Sequence, residues 1–189
     1  KVGHSFRTID ECVKLSKEDV TIRTSILDKR FLFGDRGVYD KLAERFQKDV
    51  IAGRGAEFVA AKLQERADRH AREGDSRYRV EPNVKDGKGG LRDLQTLFWL
   101  AKYIHGGKTL QQVLDNSAFT PADKAIFLRE ARFLWTVRCH LHFLTGRAEE
   151  RLSFDLQPEM ATRMGYTARQ NVNAVERFMK RYCLAAKEV

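Results

Sequence analysis

The sequence contains no apolar run that approaches the ~20 residues needed by a membrane-spanning helix. Its first residues, Lys1 to Arg7, also lack the apolar segment of a secretory signal peptide. Both absences favour a cytoplasmic protein over a membrane or secreted one. The chain begins with lysine instead of methionine, which we interpret as a sign that it is a piece of a longer protein.

Cysteine and proline are scarce, with three of each in 189 residues. The cysteines are odd in number, widely spaced and never in a Cys-x-x-Cys pair, which argues against a disulfide framework and against a zinc site. They favour a reducing compartment. They are Cys12, Cys139 and Cys183. Few prolines, with no repeat or low-complexity segment, favour a domain built from uninterrupted helices.

Several catalytic motifs are missing as well. The sequence has no adjacent His-Asp pair of the kind used by metal phosphohydrolases and no Asp-x-Asp of the kind used by nucleotidyltransferases. Residues 105–109 (HGGKT) resemble the end of a phosphate-binding P-loop, but Lys102 stands where that loop needs a glycine. The chain alone therefore displays no complete active site, and we expect no metal site within it.

Positive charge is in excess. The chain has 35 Lys and Arg against 26 Asp and Glu, a net charge of +9, which favours anionic partners such as nucleotide phosphates or an acidic protein face. In the basic run over residues 62–79, acidic residues are interleaved at salt-bridge spacing, so we favour a solvated helix face there. Nucleic acid is not an expected partner, because most aromatic residues have the spacing of a helical core.

The hydrophobic periodicity predicts an all-α fold, a compact multi-helix domain with one long central helix. The long helix has Thr120 as its N-cap, Pro121 in its first position and a stop at Gly146. Five other helices are predicted after residue 37. Two of them follow Gly146, and the apolar faces of two others are Phe58, Ala61, Leu63 and Ala67, and Leu91, Leu94, Leu97, Phe98, Ala101 and Ile104. A further helix has Val38, Leu42, Phe46 and Val50 on one face and ends at Gly53.

The first 34 residues are less regular. Residues 1–8 alternate loosely and predict a short strand, whereas Thr8 to Glu11 has the pattern of a capping box and predicts a helix over residues 9–17. The following stretch has a β-branched start that suits a strand and later apolar residues that suit a helix. We predict mostly helix, ending at Gly34.

The most unusual stretch is residues 81–100, EPNVKDGKGGLRDLQTLFWL. Its glycines let backbone amides approach a ligand, and the helix that starts near Gly90 directs its first amides toward the loop. With neighbouring cationic side chains these amides form a candidate anion site. The candidate residues are Lys85, Gly87, Lys88, Gly89, Gly90, Arg92 and Asp93. Asp93 could interact with the helix dipole, pair with Arg92 or contact a metal indirectly. For the stretch as a whole, a solvated loop followed by an ordinary helix start is equally compatible with the sequence.

The same stretch resembles the signature of the PII uridylyltransferase/uridylyl-removing enzymes, the GlnD family. Other segments resemble that family in the same order, so the resemblance covers essentially the whole chain. They are VGHSFRT and DEC near the start, SILDKRFLFGD, FVAAKLQERADRHAREGDSRYRVEPN, GRAEERLSFDLQ and VERFMKRYC. The resemblance implies that residues 1–33 are the end of a nucleotidyltransferase domain and that residues 34–189 are the helical domain that follows it.

The resemblance also implies an activity for a longer, cytoplasmic parent protein. That parent would use Mg²⁺ and UTP to uridylylate a tyrosine of the PII signalling protein, remove UMP through a separate HD domain, and sense glutamine through other domains. The catalytic Asp pair of the family is absent from this chain, so the fragment would form a helical wall of the transferase site and be inactive alone. A non-catalytic regulatory or protein-docking module is the alternative.

Residue roles follow from the resemblance. Lys85, Lys88 and Arg92 would stabilise charge on the nucleotide phosphates, and His4, Ser5 and Arg7 could flank the same pocket. Asp28 could be a further acid near the site, although a surface pair with Arg30 is at least as compatible with the sequence. After the long helix, Arg147, Glu149, Glu150 and Arg151 predict a structural ion-paired turn.

Overall fold

The fold was obtained as a computed structural model that describes residues 4–189. Within that range the chain forms nine α-helices and two single β-bridges, Asn83–Arg151 and Arg169–Val172, with no sheet. The predicted all-α class is therefore confirmed. None of the helices in residues 4–189 combines the length and the apolar character that a bilayer crossing demands. The helices are α1 (Ile9–Glu18), α2 (Val20–Leu27), α3 (Arg36–Phe46), α4 (Gly55–Glu73), α5 (Leu91–His105), α6 (Leu110–Asn116), α7 (Pro121–Thr145), α8 (Gln157–Arg163) and α9 (Ala174–Glu188).

The chain divides into two compact units. The first contains the described residues up to Gln64 together with Phe98–Ser117, and the second contains Glu65–Leu97 and Ala118–Val189. Helices α4 and α5 therefore each contribute residues to both units. The boundary between residues 33 and 34 that the resemblance implies stays a prediction.

The capping box at the start of α1 is confirmed. Glu11 donates its backbone N–H to the Thr8 hydroxyl over 3.2 Å, and its carboxylate accepts from the Thr8 backbone N–H over 2.7 Å. Immediately before it, residues 4–8 form no strand, because none of them takes part in a backbone ladder with another described segment. The first three residues of the predicted strand lie outside the described residues.

Helix α2 is shorter than predicted. It ends at Leu27, and residues 28–35 have no regular structure, so the predicted continuation to Gly34 is wrong. Phe31, the apolar residue beyond Leu27 that suggested a longer helix, is only partly buried, and Leu32 and Phe33 beside it are 78% and 97% exposed. They have no core to face, which removes the main force that would hold them in a helix.

The core of the first unit is built around an aromatic pair. Phe58 of α4 is fully buried and its ring stacks on Tyr103 of α5 with 4.0 Å between the centroids. The Tyr103 hydroxyl donates to the carbonyl of Val50 over 2.9 Å, in a π-helical turn (Gln47–Ile51) that continues α3. Burial raises the pKa of Tyr103, so the hydroxyl stays protonated as a donor. The buried polar end of this ring is thus satisfied.

The buried face of α4 differs from the predicted one. Phe58 is buried as expected, but Leu63 is 48% exposed, whereas Lys62 is buried with its ammonium 4.8 Å from the Trp99 ring centroid. One turn further on, Arg69 and His70 are also buried. The interpretation of the basic run as a wholly solvated face is therefore wrong.

The second unit contains the long helix. Thr120 caps α7, Pro121 is in its first position, and the helix ends at Gly146 with φ of +65°, as predicted. Leu134, Val137 and Leu141 on α7 are fully buried, and α7 packs against α8 and α9. Buried Glu130 on the same helix pairs with Arg129 and with Arg181 of α9. These ion pairs compensate the charge of a carboxylate within the packed face.

The buried aromatic pair predicts how much the observed face of α4 contributes to the free energy of unfolding. Phe58→Ala should lower the free energy of unfolding by about 3–5 kcal/mol, because it leaves a cavity against the Tyr103 ring. Urea denaturation of the 189-residue chain measures this. Leu63→Ala on the same helix is the control, and we expect a loss below about 1 kcal/mol because its side chain is already half in water. Equal losses would contradict the assigned face.

Candidate functional site

The glycine-rich loop of residues 85–90 is anchored by the segment before it. Leu152 donates its backbone N–H to the carbonyl of Pro82 over 2.9 Å, and Val84 donates to the carbonyl of Glu150 over 2.8 Å. The segments 82–84 and 150–152 therefore lie side by side through a single β-bridge. This pairing fixes the chain at the point where the loop begins.

Asn83 organises the first half of the loop. Its side-chain Oδ1 accepts from the backbone N–H groups of Lys85 and Asp86 over 3.0 and 2.8 Å. Its carbonyl accepts from the N–H of Gly87 over 3.0 Å. An Asn side chain that replaces a backbone partner in this way stabilises a tight turn.

The second half of the loop uses its amides in the same manner. Gly90 donates to the carbonyl of Gly87 over 2.9 Å, Leu91 donates to Val84 over 3.0 Å, and Arg92 donates to Lys85 over 2.8 Å. The amides that the sequence suggested for an anion are therefore already donors inside the loop. The cationic side chains remain as the candidates for anion binding.

The glycines are required by close packing. A Cβ on Gly87 would lie 2.5 Å from the carbonyl oxygen of Asn83, and one on Gly90 would lie 2.8 Å from that of Val84. Gly89 has φ of +76°, and a Cβ there would overlap the carbonyl of Ala186 in α9. These positions leave no room for a side chain, so the composition of the loop is explained by the chain packing against itself.

Three partly exposed cationic side chains lie at this loop, those of Lys85 and Lys88 within it and that of Arg92 in the first turn of α5. Lys88 pairs with Asp75 at 2.7 Å, Lys85 lies 3.8 Å from Asp86, and the Nε of Arg92 lies 3.5 Å from Asp86. Their side chains keep 27–31% of their surface exposed. Partly exposed pairs of this kind contribute about 0–1 kcal/mol.

Asp93 is a buried carboxylate that holds the loop to α4. It is 5% exposed, and its oxygens accept from Arg66 at 3.2 Å, from Arg69, from the Nε2 of His70 at 2.9 Å and from the backbone N–H of Gly89 at 2.8 Å. It does not pair with Arg92. The sequence signal for this cluster is that residues 66, 69 and 70 share a helix face.

Burial lowers the pKa of His70, and the positive charges of Arg66 and Arg69 lower it further. The carboxylate of Asp93 opposes this shift but does not reverse it. A neutral imidazole is therefore favoured at pH 7, with Nε2–H as the donor to Asp93. The cluster keeps two guanidinium groups against one carboxylate.

The other predicted site residues lie in the first unit. His4, Ser5 and Arg7 are exposed and precede α1 without regular structure. Asp28 is half exposed and accepts from the Nζ of Lys102 at 2.7 Å, so its ion-pair partner is Lys102 and not Arg30.

The turn after α7 has the predicted local ion pair. Arg147 pairs with Glu149 at 2.6 Å. Glu150 instead accepts three bonds from Arg138 of α7, at 3.1, 2.9 and 2.6 Å. The Arg138–Glu150 pair joins the turn to the long helix.

A magnesium ion does not fit the described part of this chain. Across residues 4–189 no three His, Cys, Asp or Glu side chains are grouped closely enough to hold a metal. Asp93, the carboxylate of the glycine loop, is already surrounded by Arg66, Arg69 and His70. Its oxygens therefore already accept hydrogen bonds from several donors, and they are unsuited to binding a hard cation.

Replacement of Gly89 tests the packing explanation. Gly89→Ala should lower the free energy of unfolding by about 2–5 kcal/mol, since it adds both a strained φ and an overlap with backbone. Gly165→Ala is a matched control, because Gly165 also has φ of +76° but has nothing within 4 Å of a Cβ. We expect only the conformational cost there, about 1–2 kcal/mol. Thermal or urea denaturation compares the two variants, and an equal loss would refute close packing at Gly89.

The lowered pKa of His70 predicts a pH dependence of stability. The folded state resists protonation of this imidazole, whereas the unfolded chain protonates near its ordinary pKa of about 6.5. The stability should therefore be complete above about pH 6.5 and decline as the pH falls toward the lowered folded-state value. His70→Gln should flatten this decline in urea titrations between about pH 7 and 5. Exposed His105→Gln is the control, and a profile that His70→Gln leaves unchanged would contradict the assignment.

The chain is similar to known proteins of one family. Residues 57–189 match the family model described as GlnD PII-uridylyltransferase. The chain is 64% identical over 189 residues to the bifunctional uridylyltransferase/uridylyl-removing enzyme of Phenylobacterium zucineum, and 57% identical to the enzymes of that name from Rhodopseudomonas palustris and Bradyrhizobium diazoefficiens. No solved structure matches it.

Each of these alignments covers the whole chain but only 20% of the relative. The chain thus spans about a fifth of the length of the curated relatives that it matches. The matched family region includes the glycine loop, α4 from residue 57 and all of α5 to α9. On this evidence the chain belongs to the GlnD PII-uridylyltransferase family.

Proposed function

We propose that this chain is the helical part of the transferase region in an enzyme that moves UMP from UTP to a tyrosine of the PII signalling protein. A separate region of the same parent enzyme would remove the UMP again. Support comes from the family match over residues 57–189 and from relatives named as bifunctional uridylyltransferase/uridylyl-removing enzymes. In this proposal PII, UTP and the glutamine that regulates the parent are partners of the whole enzyme, which acts in the cytoplasm.

Within that enzyme the glycine loop would place positive charge beside the nucleotide phosphates. The observation that carries this role is a set of partly exposed cations at one internally hydrogen-bonded loop, Lys85 and Lys88 in the loop and Arg92 in the first turn of α5. Charge that is already in position when pyrophosphate leaves stabilises the transition state with little reorganisation. The loop satisfies this condition because its backbone conformation is fixed by Asn83 and Asp93.

The remaining parts of the transferase site would come from elsewhere in the parent. The described residues offer no metal-binding cluster, so we assign Mg²⁺ and the carboxylates that hold it to other regions. His4, Ser5, Arg7 and Asp28 stay in the proposal as wall residues. Asp28 is the weakest of them, since it already pairs with Lys102.

A regulatory or protein-docking module is the second candidate. One observation favours it, namely that the loop amides donate within the loop and are not directed at a ligand. In that case the cations of the loop would contribute to stability or docking without touching UTP. The two candidates differ in how the transfer reaction responds to the loss of one cation.

The variant Lys85→Ala in the parent enzyme distinguishes the transferase role of the loop from the docking module. Its ammonium has only a loose contact with Asp86, so we expect the fold to be retained. Uridylyl transfer should fall on the order of 100-fold, as when one preorganised group for transition-state charge is removed. Removal of UMP from uridylylated PII should be unaffected. Both rates are measured on the same preparation.

Lys108→Ala provides the control, because Lys108 is an exposed cation outside the glycine loop. In the Lys108→Ala enzyme, the rates of uridylyl transfer and of UMP removal should match those of the unmodified enzyme. Equal loss of transfer and removal in Lys85→Ala, together with a lowered melting temperature, would assign the loop to folding. Unchanged transfer would favour the docking module.

A further inference from the structure

A second basic region lies outside the glycine loop, in a cleft of about 640 Å³ between α9 and the turn that precedes it. Its walls carry the cations Arg169, Arg177, Lys180 and Arg181, beside the ring of Tyr166. No carboxylate from the described residues lines it. The cleft is open to solvent and belongs entirely to the second unit.

The helix spacing explains why the charges converge. Arg177, Lys180 and Arg181 are three and four residues apart on α9, so they project from one face. Like charges at this spacing destabilise a helix. A bound anion would remove that repulsion, which makes the cleft favourable for negative charge.

Two of the cations are held in place. Arg181 pairs with buried Glu130 at 2.7 Å and lies 4.2 Å from the centroid of the Phe133 ring. Arg177 donates to the carbonyl of Thr167. Glu130 is also paired with Arg129, so its negative charge is shared between two guanidinium groups.

The other two cations lack carboxylate partners among the described residues. Lys180 and Arg169 are both exposed. Arg169 begins a tight turn in which its backbone and that of Val172 exchange two hydrogen bonds of 3.0 and 2.9 Å. The central residues Gln170 and Asn171 have φ of +46° and +65°. Such a conformation is disfavoured for Gln, and backbone strain of this kind concentrates at binding sites.

Tyr166 supplies an uncharged donor to the same cleft. Its ring packs on Phe178 with 5.5 Å between the centroids. Burial raises the pKa of Tyr166 against the opposing effect of Arg181 and Arg177, so its hydroxyl remains protonated. A protonated hydroxyl among guanidinium groups can donate to an anionic oxygen.

We propose that this cleft binds a phosphate-bearing polyanion, a ligand with several linked phosphate groups. Three arginines favour phosphate, because the planar guanidinium donates two parallel bonds to its oxygens. A chain of linked phosphates matches the row of cations along α9 better than a single carboxylate does. The inference is independent of the transferase role of the glycine loop.

Calorimetric titration of the 189-residue chain with tripolyphosphate tests the proposal. We expect binding that Arg169→Ala/Lys180→Ala weakens by about tenfold or more for each charge-assisted bond lost. Both side chains are exposed, and an unchanged melting temperature would show that the variant is folded. Lys41→Ala/Lys48→Ala removes the same charge from exposed positions on and after α3 and should leave the affinity unchanged.

Two further comparisons establish where the polyanion binds and which anions the cleft accepts. Lys85→Ala should retain tripolyphosphate binding, which distinguishes this cleft from the glycine loop and leaves either proposal able to fail alone. Citrate and a poly-glutamate peptide should bind much more weakly than tripolyphosphate. Equal affinity for poly-glutamate would instead indicate an acidic protein partner and overturn the proposal. Equal weakening by the control double variant, or no binding at all, would do the same.

Discussion

One buried carboxylate, that of Asp93, determines the arrangement around the glycine loop. It accepts from Arg66, Arg69 and His70 on α4 and from the backbone of Gly89. Removing one partner of a buried ion pair commonly costs about 3–5 kcal/mol, because the remaining charge is left without compensation. The position of the loop is therefore tied to the part of α4 that follows Gln64, and the two form one structural group within the second unit.

The sequence predicts the helices well where their ends are determined locally. The capping residues Thr8 and Thr120 and the stop at Gly146 act through neighbours within a few residues, so their patterns are visible in the chain. The end of α2 was mispredicted for the opposite reason. Phe31 continues the apolar pattern, but the pattern does not reveal that Leu32 and Phe33 beside it have no core to face.

The candidate site was predicted in composition but not in geometry. A hydropathy pattern assigns arginine and histidine to solvent, and it therefore missed that Arg69 and His70 are buried against a carboxylate 23 and 24 residues further along the chain. Only the tertiary fold brings that carboxylate to α4. Lys85 and Lys88 are proposed as site residues from the sequence because nearby glycines mark an unusual backbone, and their role stays a prediction.

The loop also shows that a glycine-rich composition does not identify a phosphate site by itself. In a phosphate-binding loop, glycines expose backbone amides to the ligand. Here Gly87 donates to the carbonyl of Asn83, Gly90 donates to that of Gly87, and Gly89 donates to Asp93. The glycines permit contact between chain segments, and anion recognition would have to come from side chains. Positive charge on a rigid backbone is therefore the property that both proposed sites share, since α9 gives the second cleft its fixed row of cations.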